Sequence, residues 1–528
     1  MLKSKITNIA ETKSPKDKIN KISDFFSTSL IIWLACLCIS ALFLFICSKS
    51  SPLYPFNDWV DANSFFTMGK GMMHGRIPYR DLFEQKGVLL YFLHGIAYLL
   101  SNKTFFGVYV LEVISFSIFL FYSFKLAALF IDKKYTIVSL PILAASILNL
   151  KSFSNGDSAE EFCLPLLMIG LYYLIKYFKD LYPKQIPYRW LLLNGILAGC
   201  VLWIKFSMLG FWFAWMGSIF FCLLASKLYR QALISCVVFL SGMLIASLPW
   251  FIYFGINNSI SDWFYSYFVF NAKFYSTSNS ILSNIKSIFN HFLYQAYKNP
   301  FFCSLLLLGV TVFVTTKKFL KKIEHRLCLL FCVLCLSVTV YGGGKSFVYY
   351  FLIFSPFVVF GFIFLLDFYF NEFGPLETNN KITSFVIITF LLSILFSLQY
   401  NQNINTLKVK KEDLVQYKFA SIINQTENAT LLNYDALDFG IFTTTGITPN
   451  IKYFFTTNAD YAIQKEEQDR YIKEKITEFI VTRRPASDNI ERLRNDVPYL
   501  YKNYFLIDTE KQINGDIEFN YFLFKKIR

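Results

Sequence analysis

Long apolar runs, separated by short polar segments, make up most of the chain between residues 29 and 400. A helix needs about 20 mainly apolar residues to cross the hydrocarbon core of a bilayer. Runs at or near that length lie around residues 29–47, 105–131, 135–150, 161–179, 190–206, 207–226, 231–254, 300–316, 327–341, 347–370 and 382–398. The pattern predicts a polytopic α-helical membrane protein with about eleven transmembrane helices.

The first apolar run predicts where the N-terminus lies. Residues 1–28 are polar and Lys-rich, and they precede the run at 29–47 without a cleavage site. This arrangement is typical of a signal-anchor helix that stays in the membrane. We therefore expect residues 1–28 to be a basic cytoplasmic N-terminus and the protein to lie in the plasma membrane or bacterial inner membrane.

A shorter apolar run, at 87–101, decides which loops lie outside. As a helix its roughly fifteen residues would extend about 22 Å, less than the roughly 30 Å hydrocarbon core. If it does not cross, four basic segments face the cytoplasm, in line with the positive-inside bias. They are residues 132–134, 179–189, 227–230 and 317–326. We expect 87–101 to lie in the outer interface, within a first outer loop at 49–104.

Residues 401–528 differ in composition from the rest of the chain. They are charged, lack long apolar runs, and contain strand-like pieces ("ATLLNY", "EFIVTRR", "YFLFKKI") and a predicted helix near 461–476. The alternation predicts a small α/β domain on the outer face. Residues 29–400 then form the transmembrane domain.

Composition agrees with a membrane protein and argues against several other classes. Of 528 residues, 55% are hydrophobic and 16% charged, whereas a soluble domain carries about 25% charged residues. The excess of 51 Lys and Arg over 36 Asp and Glu fits basic cytoplasmic loops, and no basic stripe interleaved with aromatic residues indicates nucleic-acid binding. The four His residues are scattered and the 11 Cys residues lack paired metal-ligand spacing. No metal site or cofactor is predicted, and a divalent-metal requirement stays open.

The first outer loop holds a dense group of opposite charges. The stretch "PYRDLFEQKG", residues 78–87, carries Arg80, Asp81, Glu84 and Lys86 and leads directly into the apolar run. Helix N-termini favour anions, so Lys86 at the start of the 87–101 helix is a candidate phosphate ligand, with the other three charges fixing the loop.

Two carboxylates begin the same loop. Asp58 and Asp61 are three residues apart, and on one helix they would share a face. An apolar side formed by the residues that follow would let this segment rest on the bilayer. The loop is therefore expected to be structured, with its acids and bases directed away from lipid.

Other outer segments add further charged residues, and some of these have two possible roles. Glu160 and Glu161 begin an apolar run, where Ser158 and Glu161 also match a helix capping box. Lys205 lies between two apolar runs, where it either lines a polar cavity or extends to the interface. Lys345 follows three glycines, whose bare backbone would allow a ligand to approach closely.

Acids and cations on one membrane face suit a reaction with an anionic lipid carrier. A sugar that leaves a polyprenyl phosphate needs cations to stabilise the departing phosphate and little general-acid help. The acceptor hydroxyl needs a carboxylate within hydrogen-bond reach to take its proton. One carboxylate and a few Lys or Arg side chains beside the bilayer are sufficient for this chemistry.

Four segments of the sequence resemble bacterial GT-C class glycosyltransferases, the polytopic enzymes related to protein O-mannosyltransferases and aminoarabinose transferases. The block "DANSFFTMGKGMMHGRIPYRDLFEQKGVLLYFLHG" at 61–95 is the specific one. Weaker matches are "AEEFCLPLLMIGLYYL" at 159–174, "GGGKSFVYYFLIFSPF" at 342–357 and "NYDALDFGIFTTTGITPNIKYF" at 433–454. The resemblance implies a GT-C-like fold and sugar transfer from a polyprenyl-phosphate donor to an acceptor hydroxyl outside the cell membrane.

The resemblance also implies roles for particular residues. Asp61 takes the position of the family's presumed base, with Asp58 as the near alternative. Relatives often have His where this chain has Tyr349, so a cationic role there passes to Lys345. The predicted donor-phosphate ligands are Lys86, Arg80, Lys345, Tyr349 and Lys205. The predicted acceptor or structural acids are Asp81, Glu84, Glu160 and Glu161.

Three other functions compete with the transferase. A flippase or transporter of lipid-linked saccharides would carry charges buried mid-membrane and repeated halves, neither of which is evident here. A polysaccharide polymerase would place its polar residues in a large middle outer loop, but the 255–299 loop is poor in acids. A non-catalytic envelope protein also stays open.

Overall fold

A computed structural model of the chain describes residues 15–277, 280–374, 378–487, 490–514 and 517–527. Residues 1–14 of the expected basic N-terminus lie outside this range. The described residues form a helical membrane domain followed by a small sheet domain, as the hydrophobic pattern predicts.

Sixteen α-helices make up the described part of the membrane domain. They are α1 Pro15–Cys47, α2 Val60–Met73, α3 Val88–Leu100, α4 Phe106–Ala127, α5 Lys133–Thr136, α6 Ser139–Leu148, α7 Ala159–Lys176, α8 Tyr188–Lys205, α9 Leu209–Ala225, α10 Tyr229–Ile256, α11 Ile260–Phe264, α12 Ile281–Lys298, α13 Pro300–Thr315, α14 Ile323–Tyr341, α15 Ser355–Phe373 and α16 Asn379–Tyr400.

The protein is a multi-pass membrane protein, but the expected count of about eleven spans is not confirmed. Eight segments of the described chain are long and apolar enough to cross, and α12 with α13 form a ninth that is bent by 119°. The difference has two sources. The predicted run at 135–150 is divided between the four-residue α5 and the ten-residue α6, so no single helix there reaches the length of the eight. The runs at 190–206 and 207–226 lie in one continuous 38-residue apolar segment, within which a 3-10 turn at Phe206–Met208 separates α8 from α9.

Close helix contacts hold the membrane domain together. Helix α8 packs along α10, α9 along α14, α13 along α15, and α4 between α1 and α7. At the α8–α10 contact Gly195 faces Gly242, and a Cβ on either residue would collide with a carbonyl of the other helix. Small residues of this kind let helix backbones approach closely in membranes.

The C-terminal domain is an α/β unit of five helices and one four-stranded sheet. Its helices are α17 Val415–Ile423, α18 Ile441–Thr445, α19 Ala462–Lys473, α20 Ile490–Asp496 and α21 Pro498–Asn503. Its strands are β1 Leu431–Asn433, β2 Phe479–Pro485, β3 Tyr504–Asn514 and β4 Ile517–Lys526.

The sheet has the order β1-β2-β4-β3, in which β1 pairs with β2 in parallel and the other pairs are antiparallel. The three strand-like pieces and the helix near 461–476 are thus confirmed as β1, β2, β4 and α19. Strand β3 was not predicted. It is an edge strand whose residues after Tyr504 are exposed or only half-buried, so it lacks a strong apolar alternation.

The C-terminal domain packs directly on the first outer loop. The buried Lys70 ammonium of α2 donates to the carbonyl of Phe442 at 2.6 Å, and Thr67 donates to Asp438 at 2.9 Å. Farther along the loop, the Phe83 N–H donates to the carbonyl of Lys452 at 3.0 Å. A cavity lies where the loop, this domain and the membrane helices meet.

Candidate active site

The cavity at this junction is formed by four parts of the chain that are distant in sequence. It measures about 620 Å³, including space open to solvent. Its polar walls come from the first outer loop, the 271–275 turn, the 347–349 segment and the C-terminal domain, and they include Asp61, Glu84, Lys86, Tyr275, Tyr349, Asp438 and Asn458. We call it the outer cavity.

A second cavity of similar size continues from the outer cavity toward the membrane helices. The two share Gln85, Lys86 and Tyr275, which form the wall between them. Lys205 and Tyr350 line only the second one, which we call the inner cavity. A ligand with a charged head at Lys86 would therefore have space on both sides of that side chain.

The two candidate bases face different places. Helix α2 begins at Val60, so Asp58 precedes it and the two acids do not share a helix face as expected. Asp58 accepts a hydrogen bond from Lys49 Nζ at 2.6 Å and does not line the outer cavity. Asp61 lies in the first turn of α2 and lines that cavity, and no ion pair involves it within the described ranges. Its carboxylate is thus available to a substrate.

Lys86 and Glu84 are adjacent but do not pair through their side chains. Glu84 accepts hydrogen bonds from the Lys86 backbone N–H at 2.7 Å and from the Tyr91 hydroxyl. The Lys86 ammonium instead lies 5.5 Å from the centre of the Tyr275 ring and 6.0 Å from that of Phe65. Glu84 therefore fixes the backbone of the loop, while the Lys86 charge points at the shared wall of the two cavities.

Gly87 brings this loop against α8. Its N–H donates to the carbonyl of Ile204 at 3.1 Å, and a Cβ at this position would collide with the carbonyl of Trp203. Only glycine permits so close an approach. The contact holds Lys86 beside the end of α8, where Lys205 is located.

Lys345 approaches Tyr275 from another side. Its ammonium lies 3.6 Å from the centre of the Tyr275 ring and donates to the carbonyl of Asn458 at 2.9 Å. Burial, and repulsion from the Lys86 charge, lower the pKa of Lys345 to about 8. Two cations thus flank one aromatic ring, and a phosphate placed there would relieve their repulsion.

Lys205 lies in the inner cavity in contact with a buried acid. Its ammonium contacts Glu160 and lies 4.0 Å from the centre of the Tyr350 ring and 5.7 Å from that of Tyr349. Both charged side chains are almost fully buried, so Lys205 lines a polar cavity, with Glu160 behind it, and does not extend to the interface. Tyr349 faces the outer cavity and its neighbour Tyr350 the inner one.

Three of the expected site residues lie elsewhere. Arg80 is exposed, pairs with Asp81 at 2.8 Å and donates to the carbonyl of Asn257 at 2.9 Å. Asp81 also accepts from the Ile77 N–H. Ser158 is the N-cap of α7, and the Glu161 N–H donates to its hydroxyl at 3.1 Å. The structure does not bring these three residues to the cavities.

Several cavity residues were missed by the sequence analysis. Asp438 is fully buried and lines the outer cavity; it lies in the "NYDALDFG" segment that was compared with relatives only as a block. Tyr275 and Asn271 come from the 255–299 loop, which was judged only by its lack of acids. Their aromatic and amide groups in "FNAKFY" were the available signal.

Burial affects the charges behind the outer cavity. It raises the pKa of Asp438 to about 6, against hydrogen bonds from Gly440 and Thr67, and lowers the pKa of Lys70. Each group is therefore shifted toward its neutral form. In the described part of the chain, no group of three or more His, Cys, Asp or Glu side chains has a geometry suited to a metal ion.

Comparison of the whole structure with solved structures gives a consistent result. The crystal structure of ArnT from Cupriavidus metallidurans bound to undecaprenyl phosphate is similar with a TM-score of 0.56 and 9% identity, over 96% of this chain and 98% of that one. Its apo state gives a TM-score of 0.55 and 10% identity over the same shares. ArnT is an aminoarabinose transferase and a GT-C glycosyltransferase. The chain has a GT-C fold.

No protein-family model and no curated protein matches the sequence, so the likeness to the GT-C proteins is one of fold. The four segments that resembled the family nevertheless all reach the same region. Segments 61–95, 342–357 and 433–454 line the outer cavity, and Glu160 of segment 159–174 contacts Lys205 in the inner one.

Proposed function

We propose that the protein is a glycosyltransferase that moves a sugar from a polyprenyl-phosphate donor to an acceptor hydroxyl. The observation that carries the proposal is that Asp61 and Lys86 line one cavity. The cavity offers the Asp61 carboxylate, which has no ion-pair partner among the described residues, together with the Lys86 cation. The GT-C fold and the undecaprenyl phosphate bound to ArnT support the choice of donor.

The phosphate of the donor is assigned to the shared wall of the two cavities. Lys86 and Lys345 flank Tyr275 there, and Lys205 lies beyond it in the inner cavity. The Lys86 and Lys345 ammonium groups beside one phosphate stabilise the charge that develops as the sugar leaves, and Lys205, which also pairs with Glu160, lies on the side of the inner cavity. Tyr350, beside Lys205, adds a hydroxyl that can donate to a phosphate oxygen.

The sugar is assigned to the outer cavity, next to Asp61. In the reaction the acceptor oxygen forms a bond to the anomeric carbon, and the bond from that carbon to the phosphate oxygen breaks. The electron pair of the broken bond stays on the phosphate, giving polyprenyl phosphate. Asp61 accepts the proton of the acceptor hydroxyl, as a general base.

We also propose that both cavities and the C-terminal domain lie outside the cytoplasm, in the plasma membrane or bacterial inner membrane. The basic segments near residues 132–134, 227–230 and 317–326 support this orientation through the positive-inside bias. The acceptor would then be a glycan, lipid or protein of the cell envelope.

The base is tested by comparing Asp61→Asn with Asp58→Asn in full-length protein. Purified variants are incubated with a polyprenyl-phosphate sugar, and released polyprenyl phosphate is measured with and without crude envelope acceptor. Asp61→Asn is expected to lose about 10²- to 10⁴-fold in rate, the contribution of a general base. It should still bind the donor, and Asp58→Asn should retain most activity because its carboxylate faces Lys49 outside the outer cavity.

Two results would contradict this assignment. An active Asp61→Asn beside an inactive Asp58→Asn would move the base to Asp58. If wild-type protein binds the donor lipid but never releases polyprenyl phosphate, and instead moves the intact donor across vesicles, the protein is a flippase and not a transferase.

A further inference from the structure

A groove that shares Trp59 with the outer cavity is lined by none of the lysines assigned to the donor phosphate. It lies between the first outer loop and the sheet of the C-terminal domain and measures about 900 Å³, including open space. Its walls include Lys49, Asp58, Trp59, Leu437, Arg483, Asn514 and Phe519. We call it the sheet groove.

The sheet groove adjoins the site of the proposed base. Trp59, Val60 and Leu437 line both the groove and the outer cavity, and the next residue along the chain is Asp61. None of the three lysines assigned to the donor phosphate lines the groove. A molecule bound there would reach the proposed base through the wall formed by Trp59, Val60 and Leu437.

Arg483 determines the charge of the groove. The Lys49 ammonium is neutralised by Asp58 at 2.6 Å. Arg483 of β2 has no ion-pair partner within the described ranges, whereas the adjacent Arg484 pairs with Asp435 at 2.9 Å. The Nη1 atom of Arg483 is buried and makes no hydrogen bond of good geometry among the described residues, and the one group close enough to interact with this guanidinium as an acceptor there is the neutral Tyr521 hydroxyl. A buried guanidinium nitrogen without an acceptor is costly unless a ligand supplies one.

Aromatic rings hold Arg483 in place and offer apolar faces. The guanidinium carbon lies 4.8 Å from the centre of the Phe519 ring and 5.9 Å from that of Phe439. Trp59 lies at the other end of the groove, with its ring edge against Tyr349. Flat apolar rings beside hydrogen-bonding groups suit a sugar, and a planar guanidinium suits a carboxylate or phosphate on it.

We infer that the sheet groove binds the acceptor, and that the acceptor is a glycan whose sugars carry a carboxylate or a phosphate. The inference rests on the proposed function, because only a transferase has an acceptor. Arg483 pairs with the anionic group of the glycan, and Phe519 and Trp59 pack against sugar faces. A hydroxyl of the bound sugar then reaches Asp61 past Trp59.

The test uses binding of three short glycans to full-length protein in nanodiscs, measured by isothermal titration calorimetry. The probes are tetragalacturonate, which carries carboxylates, a phosphorylated maltotetraose, and neutral maltotetraose. We expect at least one anionic probe to bind at least about tenfold more tightly than the neutral one. The anionic probe that binds more tightly identifies whether the anion is a carboxylate or a phosphate.

Variants locate the binding. Arg483→Ala should weaken binding of the anionic probe at least about tenfold, the effect expected when a hydrogen bond to a charged group is lost. Arg483→Lys should recover only part of that loss because it lacks the bidentate guanidinium. Arg484→Ala is the matched control, one residue along β2, and should bind the probe like wild type. Each variant should bind the polyprenyl-phosphate donor normally, which shows that it is folded.

The outcomes separate this inference from the proposed function. Equal binding of neutral and anionic probes, no binding of any probe, or an Arg483→Ala variant indistinguishable from wild type overturns the inference. Normal donor binding and transfer alongside any of these leaves the transferase proposal standing. Arg483-dependent glycan binding by a protein that does not bind the donor supports the groove and overturns the transferase.

Discussion

The N–H of Gly87 donates a hydrogen bond to the carbonyl oxygen of Ile204 at 3.1 Å, joining the first outer loop to the end of α8. Lys86 and Lys205 lie on the two sides of this contact. Because a Cβ at Gly87 would collide with the Trp203 carbonyl, Gly87→Ala must push the loop away from α8. We expect a destabilisation of about 1 to 3 kcal/mol, typical of overpacking, and weaker donor binding.

Thermal unfolding and donor titration in detergent measure the two effects. Gly217→Ala is the control, because Gly217 lies in α9 with its nearest neighbours no closer than 3.7 Å to an added Cβ. It should leave donor binding unchanged. A Gly87→Ala variant with wild-type stability and donor affinity would show that the loop moves freely relative to α8.

Lys86→Met is expected to weaken donor binding by about ten- to a hundredfold. The substitution removes a cation from the shared wall of the cavities but keeps a side chain of similar length, and a hydrogen bond to a charged group contributes about 1.5 to 3 kcal/mol. The affinity is measured with a fluorescent short-chain polyprenyl phosphate. Arg80→Met removes an exposed cation outside the cavities and should retain wild-type affinity. Equal losses in both variants would indicate a general charge effect in place of a specific site.

Donor binding should weaken as pH rises through about 8. The pKa of Lys345 is lowered to about 8, so its positive charge is present below that pH and is lost above it. A bound phosphate favours the charged form, and affinity therefore falls by up to about tenfold between pH 7 and 9. The probe is a polyprenyl-phosphate sugar, a phosphodiester that keeps one charge over this range.

Lys345→Arg supplies the control for this pH dependence. Arginine stays protonated in proteins, so this variant should bind the donor with little change between pH 7 and 9. If the wild-type affinity is constant over this range, the expected pH dependence is absent. If the arginine variant shows the same decline as wild type, a group other than Lys345 causes it.

Epitope tags test the proposed orientation. Tags inserted after Asn102 and after Asp460 should be accessible from outside intact cells or spheroplasts, and a tag after Leu320 only after the membrane is opened. The short α3, 13 residues long, spans about 20 Å and is expected to stay in the interface. A tag after Asn102 that is reached only from the cytoplasm would show that α3 crosses.

The hydrophobic pattern correctly predicted the features of the fold that depend on local sequence. The run at 29–47 is confirmed as the span Ser29–Cys47, because length and apolarity alone decide whether a helix crosses. The paired acids were less predictable. Asp58 and Asp61 have the spacing of one helix face, but α2 begins between them and Lys49 holds Asp58 elsewhere.

Contacts between distant segments were beyond the sequence pattern. Glu84 and Lys86 are only two residues apart, but their side chains have different partners. Glu84 accepts from the Lys86 backbone N–H and from Tyr91, and the Lys86 ammonium faces Tyr275, nearly 200 residues later. Asp438 is separated from Thr67 by 371 positions, and no local pattern marks it as part of the cavity. A single sequence shows which residues can carry charge but not which ones meet.

The buried contacts of Lys70 and Asp438 limit how this protein can be divided or recombined. The buried Lys70 ammonium donates to the Phe442 carbonyl of the C-terminal domain. The buried Asp438 carboxylate accepts from the Thr67 hydroxyl of the first outer loop and from the Gly440 N–H of its own domain. Cutting the chain near residue 400 would leave Lys70 without the Phe442 carbonyl and Asp438 without the Thr67 hydroxyl. A chimera that takes its C-terminal domain from a relative would therefore need to take helix α2 from the same relative, and the two segments should be inherited as one unit.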